Sequence, residues 1–124
     1  MKILLVDDYQ DALEALSLYL VSVGFHVQTA CDGLIGLDLA LVFRPDVIVL
    51  DLQMPGLSGL ELAAALKRKP ETIGIPLIAV SGRSRVTESA DMRAAFASVM
   101  SKPCEPEALI AEIHRVTGVA PAGA

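Results

Sequence analysis

An α/β fold, with a doubly wound five-stranded parallel sheet and five helices, follows from three observations. Short runs rich in Val, Ile and Leu alternate five times with segments of helical period. The runs are continuous rather than alternating, as in strands covered on both faces. The segments between them have the length of crossover helices, which join parallel strands with a right-handed turn. The chain has 124 residues, 53% of them hydrophobic and 4% aromatic, so one core built from Leu, Val, Ile and Ala is expected.

Residues 2–6 form the first strand. The first helix covers about 9–23, with Leu13, Leu16, Leu20 and Val23 on one face and Gly24 as its stop. The second strand is 25–30. The second helix, about 34–43, ends before Arg44-Pro45, because proline disfavours the helical conformation in the residue before it. The third strand is 47–50. Ser58-Gly59-Leu60-Glu61 fits the capping box that starts a helix, which runs to about Arg68 and breaks at Pro70. The fourth strand is 76–80 and ends at Ser81. A helix poor in large apolar residues is expected over 87–96, and a fifth strand over 98–101. Pro106 opens the last helix, which carries Leu109, Ile113 and Val116 and stops at Gly118. Ile110 lies off that stripe, as a lone exposed residue or part of a partner surface. The folded unit is expected to span 1–118, with 119–124 a short tail or the start of a linker.

The totals exclude several classes. A net charge of −5 with no Lys/Arg run argues against direct nucleic-acid binding. No apolar stretch approaches the roughly 18 residues a membrane span needs. Met1-Lys2 leads straight into a strand, so no signal peptide is expected and the cytoplasm is the expected location. Cys31 and Cys104 show no metal-ligand spacing and read as small buried hydrophobes in a reducing compartment. His26 and His114 have no companion ligands and read as exposed or half-packed.

Parallel strands present their carboxyl ends on one side, where open α/β sheets place their chemistry. Strand one offers Asp7 and Asp8, strand three Asp51, strand four Ser81, and strand five leads into Lys102-Pro103. Each like-charge pair at 4 Å costs about 4 kcal/mol at an effective dielectric near 20, so the three carboxylates call for a cation. An all-oxygen set suits Mg²⁺ rather than zinc. Lys102 supplies a point charge and Ser81 a hydroxyl, either of which can meet a phosphoryl oxygen. Asp51 is the natural nucleophile of such a phosphoryl-transfer site, since the adjacent Asp7 and Asp8 are better placed to hold metal. Taken singly these residues are ordinary: a strand-end Asp usually forms a turn, and Asp7-Asp8 could equally cap the first helix. Their order on successive strands carries the argument.

These residues resemble, end to end, the receiver domain of two-component response regulators, a flavodoxin-like fold of the CheY type. The resemblance rests on Asp7-Asp8, on Val49-Leu50-Asp51-Leu52-Gln53-Met54-Pro55-Gly56, on Ser81 and on Lys102-Pro103. Asp32-Gly33 and Glu105-Pro106-Glu107 also resemble the family's usual turn and final helix start. It implies that Asp51 takes a phosphoryl group from a sensor histidine kinase, a histidine phosphotransfer protein or a small phosphodonor. It implies Mg²⁺ (or Mn²⁺) held by Asp8, Asp51 and the backbone carbonyl of Gln53, with Asp7 acting largely through water. By the same resemblance Lys102 binds the phosphoryl group, Ser81 swings toward it, and the Gly82 backbone N–H donates to it. The protein would then be no conventional enzyme but a switch that catalyses its own phosphorylation and dephosphorylation. Its downstream partner would be a protein target or output domain, with room for a phosphorylation-dependent dimer.

One departure matters. Three residues before its lysine the family usually has Tyr or Phe, and here that position is Val99, which has no ring to turn inward. Gln53 and Arg83, two residues beyond Asp51 and Ser81, flank the path of attacking water, and Arg83 is expected to alter the dephosphorylation rate. Two other readings stand beside the phosphoacceptor. One is an interaction module of receiver architecture that signals without phosphorylation or through an atypical switch. The other is a phosphohydrolase, disfavoured because Gln53 stands where a general acid–base carboxylate would be needed.

Overall fold

The structure, a computed structural model, describes residues 1–52, 54, 57–82 and 94–119. Its strands are β1 (Lys2–Val6), β2 (His26–Ala30), β3 (Val47–Asp51), β4 (Leu77–Ser81) and β5 (Ser98–Ser101). Among the described residues the helices are α1 (Gln10–Ser22), α2 (Gly33–Phe43), α3 (Gly59–Lys67) and α4 (Pro106–Thr117). The helix expected over 87–96 falls mostly outside the described residues.

All five strands are parallel, in the order β2-β1-β3-β4-β5. The chain goes from β1 to one neighbour, β2, and then crosses to the other, β3. That reversal leaves a crevice at the carboxyl ends of β1 and β3. Alternate residues of each strand face opposite sides. Ile3, Leu5, Val47, Val49, Ile78 and Val80 pack with Leu13 and Leu20 of α1 and Leu109 and Ile113 of α4. Leu4, Val6, Ile48, Leu50, Leu77 and Ala79 pack with Ala40 of α2 and Leu62, Ala63 and Leu66 of α3. Both faces of the sheet are covered, which is why β3 and β4 are buried at every position.

Local chemistry sets the helix ends. The Ser58 hydroxyl accepts from the Glu61 N–H at 3.2 Å, and the Glu61 carboxylate accepts from the Ser58 N–H at 3.3 Å, completing the capping box. Asp32 caps α2 by accepting from the Ile35 N–H at 2.8 Å. Gly118 ends α4 with φ of 71°, a left-handed conformation that costs glycine little.

Three expectations are corrected. Val23 does not join the buried face of α1; it is 49% exposed, because the helix ends at Ser22 and the chain has already turned. Cys31 is exposed, since it lies one residue beyond β2, and Cys104 is only half-buried. Partial burial, with the charge of Glu105, raises the Cys104 thiol pKa and so lowers its reactivity. Ile110 is neither lone nor exposed: it is half-buried against the α1/α4 side of the core. No described helix is long and apolar enough to cross a membrane.

Edge strand β5 is tied to α4 by a polar clamp. The Ser98 hydroxyl donates to Glu112, which also accepts from Arg115 at 2.8 and 2.9 Å. Arg115, then Ser98, lower the Glu112 pKa from 4.5 to about 2. A depressed carboxylate contributes stability that is present above its unfolded value and lost as pH falls through the folded one. The melting temperature of Glu112→Gln should therefore lie below wild type at neutral pH, with the gap closing as pH drops from 4.5 towards 2. A gap that does not depend on pH would show that the clamp acts only through shape.

Candidate functional site

Val6 pairs with Leu50 across the β1–β3 seam, so the next residues, Asp7 and Asp51, emerge side by side at the sheet edge. Asp51 is the last residue of β3 and only 6% exposed, whereas Asp8 faces solvent. One carboxylate oxygen from each of Asp7, Asp8 and Asp51 lies within 4.8 Å of the others. The three acids therefore converge as their strand positions imply, and hard oxygen donors at this spacing fit a divalent cation. Asp7 also accepts from the Tyr9 N–H at 3.0 Å, so it helps turn the chain into α1 as well as lining the site.

Lys102 reaches back over this edge. Its ammonium donates to Asp51 at 3.0 Å and lies 3.5 Å from Asp7. Partial burial is the largest single influence on it and works to lower its pKa. The bond to Asp51, with the charges of Asp7 and Asp51, outweighs that and holds the ammonium above its ordinary value. Its backbone is anchored too, because the Lys102 N–H donates to the Ser81 carbonyl at 2.9 Å, extending the β4–β5 pairing. Ser81 ends β4 and is buried at 3% exposure. Gly82 beside it is exposed, and a Cβ built there would meet none of the described atoms within 4 Å.

Behind the carboxylates lies a cavity of about 70 Å³ whose walls include Leu5, Leu13, Leu16, Val49 and Leu109. Apolar walls give little dielectric screening, so charges at the rim act on one another more strongly than they would in water. Val99 is half-buried and packs on the α2/α3 side of the sheet, paired with Ala79. Gln53 and Arg83 lie outside the described residues, as do Pro55 and Gly56.

One contributor escaped the reading of the sequence. Gly59, the first residue of α3, is pressed against the end of β3, where a Cβ would lie 2.3 Å from the Asp51 carbonyl oxygen and 2.6 Å from the Leu52 Cα. That contact sets how closely α3 approaches the backbone of Asp51. Only the glycine after the capping serine hinted at it.

The site thus combines a buried carboxylate, two more acids suited to a cation, an ammonium and a buried hydroxyl at one sheet edge. Residues 3–114 match the family model of the response regulator receiver domain. The chain is 33% identical over 117 residues to the cell cycle transcriptional regulator CtrA of Caulobacter vibrioides, covering 94% of this chain and 50% of that one. It is 33% identical over 116 residues to Protein PilH of Pseudomonas aeruginosa, covering 93% and 96% respectively. Among solved structures it resembles the response regulator TrrA from Thermotoga maritima, in complex with Mg²⁺-BeF, with a TM-score of 0.83, 26% identity, and 93% and 97% of the two chains covered. The chain spans about half the length of CtrA and nearly all of PilH.

Proposed function

The chain belongs to the response regulator receiver family, and from that membership we propose that it is the phosphoacceptor of a two-component relay, with Asp51 as the residue phosphorylated. The observation that carries the reading is the buried Asp51 carboxylate held at 3.0 Å by Lys102, beside two further acids. An Asp51 oxygen attacks phosphorus, the bond to the donor's leaving group breaks, and the leaving group departs with its electron pair. Lys102 neutralises the equatorial oxygens, while the Ser81 hydroxyl and the Gly82 N–H donate to them. Asp8, Asp51 and the Gln53 carbonyl would hold Mg²⁺ or Mn²⁺, with Asp7 contributing through water, and the ion would supply neutralisation of the carboxylate and phosphoryl charge. The switch catalyses its own phosphorylation and its own hydrolytic reset, and Arg83 tunes the latter.

The donor is a histidine kinase or histidine phosphotransfer protein, and the recipient of the signal a protein target or an output domain, with dimerisation on phosphorylation as one form of output. The receiver unit is 1–118, the remainder a tail or linker, and its place the cytoplasm. TrrA carries Mg²⁺-BeF, which supports the choice of ion here.

Incubation with acetyl phosphate and Mg²⁺ should raise the intact mass by one phosphoryl group, and EDTA should abolish the increase. No increase, together with no transfer from any purified kinase, would leave an interaction module that signals without phosphorylation. Mg²⁺ alone should raise the melting temperature, since an ion at a hundred times its Kd stabilises by about 2.7 kcal/mol. Asp8→Asn should lose that rise. Lys102→Met should enlarge it while slowing phosphoryl uptake, because the ammonium no longer competes for Asp7 and Asp51.

A further inference from the structure

Helix α2 is apolar on the wrong side as well as the right one. Its eleven residues, Gly-Leu-Ile-Gly-Leu-Asp-Leu-Ala-Leu-Val-Phe, carry a single charge, Asp38. Gly33, Gly36 and Ala40 are buried against the protein. On the opposite side Leu34 is 65% exposed, Ile35 42% and Val42 83%, with Asp38 exposed among them. A helix that is hydrophobic all round belongs inside something, and at eleven residues α2 is too short to cross a bilayer.

Leu34, Asp38 and Val42 are spaced by four residues, one ridge of the kind that packs into the groove of another helix. Burying Asp38 unpaired would be costly, so whatever covers the ridge must bring a cation to its middle. That requirement selects among occupants. A second copy packed about a twofold axis through Asp38 would oppose two carboxylates, on a chain whose net charge is already −5. An anionic membrane surface is ill matched, since interfacial helices carry Lys or Arg beside their apolar face and α2 has neither. We propose that the outer face of α2 docks an amphipathic helix of a partner protein, one whose apolar stripe is interrupted by a single Lys or Arg that pairs with Asp38. The site is on the sheet's α2/α3 side and does not depend on the phosphorylation of Asp51.

The probe is a synthetic helical peptide of about 15 residues with a Leu stripe and one central Lys, compared with the same peptide carrying Glu instead. Titrated into the ¹⁵N-labelled full chain, the Lys peptide should shift amide resonances of residues 34–42. The Glu peptide should bind about tenfold more weakly, the low end for a close interfacial charge pair. Asp38→Lys should reverse that preference, and Val42→Ser should weaken both peptides. Both positions are exposed, so unchanged melting temperatures will confirm that the variants fold. Phosphoryl uptake should be the same in the variants and wild type, which separates failure here from failure of the phosphoacceptor reading. No α2 shifts up to roughly 1 mM peptide, or equal binding of the Lys and Glu peptides, overturns the proposal. So does a dimer in sedimentation velocity, or binding to phosphatidylglycerol vesicles, that Val42→Ser removes.

Discussion

Asp51→Asn should take up no phosphoryl group from acetyl phosphate in the presence of Mg²⁺, a loss of roughly a thousandfold or more. An amide has the shape of the carboxylate but neither its nucleophilicity nor its charge. Among the described residues the other two carboxylates are less well placed, because Asp8 faces solvent and Asp7 accepts from the Tyr9 N–H as the chain turns into α1. The same variant should report on electrostatics. Three acids with oxygens within 4.8 Å of one another repel, and removing the charge of Asp51 relieves its share of that repulsion while giving up its pairing with Lys102. Without metal, Asp51→Asn should therefore melt no lower than wild type, and added Mg²⁺ should no longer raise its melting temperature. Peptide mapping that finds the phosphoryl group on Asp7 or Asp8 in this variant would remove Asp51 from the acceptor role.

Gly59→Ala should destabilise the fold by about 1–3 kcal/mol, the range for forcing a methyl group into a filled space. Helix propensity alone argues the other way, favouring Ala over Gly by up to about 1 kcal/mol within a helix. Sterics should win, because the obstructing atoms are the Asp51 carbonyl oxygen at 2.3 Å and the Leu52 Cα at 2.6 Å. Backbone in a buried strand end cannot step aside as a flexible side chain would. The melting temperature should fall by roughly 5–15 °C. Phosphoryl uptake should slow as well, since α3 can relieve the clash only by moving the residue that carries the acceptor carboxylate. Gly74→Ala is the control: that glycine is exposed, and a Cβ there meets nothing within 4 Å. A Gly59→Ala protein that melts with wild type would mean that α3 does not press on β3 in solution.

The framework was legible because its signals are local. Val47–Asp51 could hardly be anything but a doubly covered strand, and Ser58 with Glu61 declared the start of α3 by a bond pattern that spans four residues. The carboxyl-edge site was legible for a related reason. Parallel strands fix which end of each run shares an edge, so Asp7, Asp8, Asp51, Ser81 and Lys102 could be gathered before their distances were measured. Val23 and Cys31 were misread, and the burial of Ile110 was left open, because burial is decided by what lies opposite a residue. Hydrophobicity and helical phase do not contain that information.

Sequence alone determined the alternation of strand and helix, the parallel sheet and the set of residues that meet at its edge. These follow from short-range propensity, capping chemistry and the handedness of crossovers. Tertiary structure decided the rest: that Lys102 bonds Asp51 at 3.0 Å, that Gly59 must lack a side chain, and that α2 turns Leu34 and Val42 outward. Each of those depends on how far apart two elements come to rest. That separation is set by the summed packing of the core, and no local stretch of the chain encodes it.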